Sequence, residues 1–201
     1  MDDLNFNVFN ILIVAGVIHG FIFSVIIILN KNLKSNTNNF LAFTILSLSL
    51  SNFQYWLIDT NIIPRHLYEQ NVVWYIPFEF LILPFFYFFV KSFINQTILK
   101  KEVLLIFSPL VFSIIYLMIR NLLSSEILVV KFLNIIVEYV SIIFSIVLII
   151  LIFIILKNNE KKSKTYKSLQ VLINTKWIKK SLSLGVLLCL LWAFSFNIFE
   201  N

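Results

Sequence analysis

The sequence predicts an all-α membrane protein, a bundle of six membrane-crossing helices with its amino terminus outside. Three observations point there. Of 201 residues, 60% are hydrophobic and only 13% charged, against about 45–50% apolar and about 25% charged in soluble domains. A chain this short cannot hide so much apolar surface from water, so lipid must be its main solvent; the mean hydropathy is +0.93. The apolar residues also come in continuous runs, not in the alternation of an outer-membrane barrel. The third observation is the sorting of lysines between loops, taken up below.

A helix needs about 20 apolar residues to cross the hydrocarbon core. Six runs answer to this: Val8–Leu29, Phe40–Ile58, Val72–Val90, Val103–Ile119, Phe132–Leu156 and Leu182–Phe199. The first is preceded by Asp2 and Asp3 and lacks a small-residue cleavage site, so it is read as a span and not as a signal peptide. In the third, Pro77 and Pro84 are expected to bend the helix or free backbone carbonyls. The fourth is the shortest. The fifth is long enough to tilt or protrude. Together they form a single transmembrane domain over 1–201.

Lysine and arginine mark the cytoplasmic loops. Lys31 and Lys34 follow the first span, and Lys91, Lys100 and Lys101 follow the third. Lys157, Lys161, Lys162, Lys164, Lys167, Lys176, Lys179 and Lys180 follow the fifth. Thirteen of the sixteen basic residues thus fall on one side, leaving Arg65, Arg120 and Lys131 for the other. Both termini are therefore expected outside. The net charge of +6 sits beside helix ends, where anionic headgroups attract it. Anchoring to the lipid surface through Lys161, Lys162, Lys164, Lys167, Lys179 and Lys180, with Trp177 at the interface, is expected in preference to nucleic-acid binding. The segment Tyr166–Lys180 is expected to lie along the cytoplasmic surface before the sixth span.

Polar groups inside the spans fall on faces. Asn134, Glu138, Ser141 and Ser145 share an arc of the fifth helix; Thr44, Ser47, Ser51 and Tyr55 do so on the second, flanked by Asn52 and Gln54. For the Ser and Thr members, hydrogen bonding between helices is the expected role. Carboxylates are costlier, at least about 2.5 kcal/mol at mid-membrane, and mark functional positions by default. Glu79 and Glu138 each lie about seven residues, or roughly 10 Å, inside the outer end of their spans. The expectation is an outward-facing pocket among helices two, three and five for an unknown small ligand, formed by Glu79, Glu138, Asn134, Asn52 and Gln54. The alternative is two separate protonated carboxyls bonding neighbouring helices.

In the first helix Gly16, Gly20 and Ser24 form a small-xxx-small-xxx-small stripe that lets backbones approach closely. Packing within the chain and a possible homodimer are both open. His19 beside it is expected to be a neutral imidazole bonded to a neighbouring helix. Cys189 is a lone packing residue. No H-E-x-x-H, G-x-S-x-G, Gly-rich phosphate loop or paired metal-ligand set occurs. No catalytic residue, cofactor or metal is expected, and the chain is not read as an enzyme.

Three stretches resemble the membrane-embedded sensor region of bacterial AraC-type transcriptional regulators. They are Gly16-Val17-Ile18-His19-Gly20 running on to Asn39-Phe40-Leu41-Ala42, Leu83-Pro84-Phe85-Phe86-Tyr87-Phe88-Phe89-Val90-Lys91 with Leu105-Ile106-Phe107-Ser108-Pro109-Leu110, and the basic loop into Lys176-Trp177-Ile178-Lys179-Lys180. The resemblance implies a multi-pass protein of the bacterial inner membrane that senses a signal from the outer side or the bilayer and controls transcription. It departs from that family in lacking the helix-turn-helix DNA-binding domain. An incomplete seven-helix sensor, without direct nucleic-acid binding, is therefore expected. A small transporter or channel and the membrane sensor of a histidine kinase are the alternatives.

Overall fold

The computed structural model describes Leu4 and residues 6–63, 77–122, 128–165 and 175–187. Every regular element among them is helical, with no strand. In chain order these are α1 (Val8–Leu29), a single 3-10 turn (Lys31–Leu33), α2 (Asn36–Asp59), α3 (Glu79–Phe93), α4 (Lys100–Leu122) and α5 (Leu128–Thr165), then α6 over residues 175–187. Four helical stretches are long and apolar enough to cross a membrane: Val8–Leu29, Asn36–Asp59, Lys100–Arg120 and Tyr139–Lys161. Large apolar side chains such as Phe9, Leu12, Leu104 and Phe112 lie exposed along them, as lipid-facing residues do.

The chain divides into two compact units, Met1–Ile149 and Ile150–Asn201. In the first, α1 and α2 form an antiparallel hairpin whose ends are set by local polar caps. Asn7 accepts from the Asn10 amide at 2.9 Å, and the Asn30 amide closes α1 on Ile26 at 2.9 Å. Ser35 then starts α2 by accepting from the Asn38 amide at 3.1 Å. Such caps satisfy the amides that a helix start leaves bare.

Helix α2 is buried on two sides. Ile45 and Ser49 meet α1 at Gly20, while Phe40 and Phe43 stack on Phe88 and Phe85 of α3, 5.7 and 5.2 Å between centroids. Thr44, Ser47 and Ser51, all buried, lie within about 60° of Phe40 on that second side. The polar stripe therefore faces the helix stack. Thr44 and Ser47 do not bridge helices, however: their hydroxyls donate to the Phe40 and Phe43 carbonyls of α2 itself, at 2.9 and 2.8 Å.

A Cβ on Gly20 would overlap the Ser49 hydroxyl, whereas one on Gly16 would meet nothing within 4 Å. Only the second glycine of the pair makes the close approach, and it does so within the chain. Gly20→Ala should cost about 1–2 kcal/mol through overpacking, and Ser49→Ala added to it should recover most of that. Gly16→Ala should be neutral or mildly stabilising, since glycine weakens helices. Equilibrium unfolding in mixed micelles measures all three; equal losses at Gly16 and Gly20 would contradict the packing.

Several predicted boundaries are corrected. Among the described residues α3 starts at Glu79, after a non-helical Pro77 and Phe78, for Pro77 lacks the amide a helix running through it would need; the expected start at Val72 lies outside the described residues. The Phe80 and Leu81 amides instead close the first turn on the Pro77 and Phe78 carbonyls, at 3.2 and 2.9 Å. Glu79 accordingly sits in the first turn of the described helix. The fourth helix has 23 residues, longer than the run Val103–Ile119, and its span Lys100–Arg120, of 21 residues, is the shortest of the four long apolar ones. Helix α5 runs 38 residues, well past Leu156. Residues 72–76, 166–174 and 188–199 lie outside the description, and with them parts of the third and sixth spans, Lys167 and Cys189. Residues 175–180, expected on the membrane surface, belong to a helix that continues unbroken to residue 187.

In the second unit, Ile152 and Leu156 of α5 are fully buried, as is Ile178 of α6 with Leu182 at 8% exposure. Both pairs are spaced four apart, so each makes one apolar seam. An ion pair of 2.7 Å between Lys179 and Glu160 holds the two helices side by side.

Candidate functional site

The Asp59 end of α2 and the start of α3 bring together two of the expected ligand residues and one member of the stripe. Glu79 is half-buried in the first turn of α3 and close enough to act on the Tyr55 hydroxyl through its charge. Tyr55 and Gln54 lie one helical turn beyond Ser51, straddling the face that α2 turns to α3. Tyr55 is itself 61% exposed, so this corner is open. Both Gln54 and Glu79 are engaged in polar interactions. Asn52 points about 100° away from Ser51 and is exposed, so it does not join them. Asn134 and Glu138 are on the first half of α5, with side chains outside the described part.

Two buried polar groups not anticipated belong to the same ends of α1 and α2. Asn10 of α1 is fully buried. The Trp56 indole packs between Phe6 and Phe53, at 6.3 and 5.9 Å, and its buried N–H finds no acceptor among the described residues. A donor left so is unusual. The corner toward α3 thus offers a carboxylate, a phenol and an amide, polar groups suited to a small polar ligand, while the Trp56 indole lies about 140° round α2 from Ser51, on the side of α1. No group of three or more His, Cys, Asp or Glu that could hold a metal occurs among the described residues.

The opposite end holds a polar cluster that was not foreseen. Lys91, one of the lysines that follow the third span, is only 9% exposed. It donates to both Glu102 oxygens, at 2.8 and 2.7 Å, while the Tyr87 hydroxyl also donates to Glu102 and the Leu99 amide approaches it at 3.4 Å. The ammonium lies 5.8 Å from the Tyr87 ring centroid. Beside it Thr37 and Ser92 bond at 2.7 Å, tying the start of α2 to the end of α3. All the described polar groups of the Lys91–Glu102 cluster are satisfied by one another, the mark of a clamp.

Between the two ends stand the phenylalanines. Phe85 and Phe88 contact Phe43 and Phe40 on one side and Phe107 of α4 on the other, at 5.3 and 5.9 Å from Phe107. His19 differs from expectation. Its Nδ1 donates to the Ala15 carbonyl of its own helix at 2.7 Å, and the ring is exposed. A ring satisfied by its own backbone has no need of a neighbouring helix. Ser24 likewise bonds Phe21 within α1, at 2.8 Å.

Comparison with protein-family models, with curated proteins and with solved structures found no match to this chain.

Proposed function

We propose that this chain is the signal-input region of a bacterial transcriptional regulator of the kind its sequence resembles, embedded in the inner membrane by six spans with the amino terminus outside. The observation that carries the reading is the half-buried Glu79 at the start of α3, whose charge acts on Tyr55 near the Asp59 end of α2. The lysine distribution puts that end on the outer side, where a ligand arriving from outside meets it. A half-buried carboxylate beside an exposed phenol fits the binding of a polar ligand.

A transporter needs polar groups through the full depth. Phe40, Phe43, Phe85, Phe88 and Phe107 pack on one another among α2, α3 and α4 between Glu79 and Glu102, an apolar stretch that does not suit such a path. The serines beside it are satisfied by their own backbone. The sensor is therefore the favoured class, and its signal is a small polar molecule.

The test is transcript profiling of the source cells carrying the intact protein with Glu79→Gln or Tyr55→Phe. Losing a hydrogen bond to a charged group is worth about 1.5–3 kcal/mol, so responses should shift by about tenfold or more in signal concentration. Unchanged transcripts, together with proton flux in dye-loaded liposomes, would instead favour the transporter.

A further inference from the structure

We propose that the second unit is a binding site for anionic lipid headgroups, built by Lys157 and Lys161 of α5 and by Lys176, Trp177 and Lys180 of α6. It rests on the reading that this end of α5 emerges at the cytoplasmic surface. The sequence places eight lysines between 157 and 180 against one acid, Glu160. The fold sorts them. Glu160 takes Lys179 at 2.7 Å and sets it in the contact between the helices. Among the described residues, Lys157, Lys161, Lys176 and Lys180 lie on exposed positions.

The start of α6 has the make-up of a helix that enters the membrane through the headgroup layer. Its packed side is Thr175, Ile178 and Leu182, all buried. At 100° per residue the opposite side carries Trp177, Lys180 and Leu184 within about 60° of one another. Trp177 is 46% exposed and Leu184 57%. A basic group between an exposed indole and an exposed leucine suits a surface that is apolar on one side and anionic on the other. A nucleic acid would satisfy the lysines and leave Leu184 in water.

The lysines also lie at the right depth. Helix α5 continues unbroken past Leu156 to Thr165, so Lys157 and Lys161 stand within about 8 Å of the end of its apolar run. That distance is close to the thickness of the headgroup layer.

The experiment uses the full chain in nanodiscs, with Trp56, Trp74 and Trp192 replaced by Phe so that Trp177 alone reports. Quenching by brominated phosphatidylglycerol is compared with quenching by brominated phosphatidylcholine at equal mole fraction. The anionic lipid should quench more strongly, and the preference should weaken between about 0.05 and 0.5 M salt as screening shortens. Replacing Lys157, Lys161, Lys176 and Lys180 together by Gln should cut the preference by about fivefold or more, since each lysine near an anionic surface contributes about 1 kcal/mol. The same four replaced by Arg should retain it, and Lys31→Gln with Lys34→Gln should not alter it. Equal quenching by the two lipids would overturn the proposal, as would a preference that survives the Gln variant. Displacement of the anionic lipid by an equal charge of single-stranded DNA would assign the site to nucleic acid instead. A chain that does not enter the disc at all would overturn the membrane reading and not merely this site.

Discussion

Glu102→Leu is expected to lower the stability of the protein by about 3 kcal/mol, near the low end of the about 3–5 kcal/mol measured when one partner of a buried ion pair is removed. The substitution leaves the Lys91 ammonium, 9% exposed, without either of its two carboxylate contacts. It also strips the Tyr87 hydroxyl of its acceptor. With side-chain exposures of 11% and 19%, neither charge can recover full hydration in place. The decisive comparison is the double variant Lys91→Met with Glu102→Leu, which removes both charges at once. Stability should return most of the way, because apolar replacement of a whole buried pair is often neutral or better. Equilibrium unfolding in mixed micelles measures both variants. If the double falls as far as the single, the loss comes from packing at Glu102 and not from an orphaned charge.

That pair shows where sequence reasoning stopped. Counting charges by loop placed Lys91 and the start of α4 on one side of the membrane but had no means of pairing them. Helical periodicity relates residues three and four apart, whereas Lys91 and Glu102 are joined across a turn. The turn itself is written in Asn95, whose φ of 57° ends α3. The Asn95 and Gln96 amides close back on the Ser92 and Lys91 carbonyls, at 3.0 and 2.9 Å. Asn61, with φ 58°, follows the end of α2 in the same way. In a chain with three glycines, asparagine takes the left-handed positions that glycine usually fills. An asparagine content that looks like codon bias thus supplies part of the helix punctuation.

Hydropathy did better where a helix is bounded by polar caps. The bounds of α1 agree with expectation because Asn7 and Asn30 interrupt the apolar run at the residues that cap it. At α3 the apolar run passes through Pro77 without a break in polarity, and only backbone chemistry interrupts the helix there. The polar stripe of α2 was legible as a face, since period alone defines it. Its partner was not, and neither was Ser49, which lies about 160° from Ser51 and meets α1 at Gly20. A helix buried on two opposite sides leaves no single apolar arc to find. Glu79 was singled out on cost alone, and its neighbour Tyr55 required the fold.

Phe88→Ala is expected to cost about 2–3 kcal/mol, while Phe112→Ala should cost almost nothing. Lipid removes the transfer term that makes such substitutions severe in water, because the unfolded chain stays in hydrocarbon and the lost atoms gain no water. What remains is the cavity. Removing about 100 Å³ at about 24 cal/mol per Å³ gives about 2.4 kcal/mol if the site cannot collapse. Phe88, 1% exposed, touches Phe40 of α2 and Phe107 of α4 as well as Tyr87, at 5.7, 5.9 and 5.5 Å. Rings on three helices would have to move together to fill its place. Phe112 is 69% exposed, and an acyl chain fills whatever it vacates. Unfolding of the two variants side by side therefore separates packing from hydrophobicity. Equal and large losses would mean that Phe112 also faces protein, and that the apolar exposure along α4 marks a contact between helices in place of a lipid boundary.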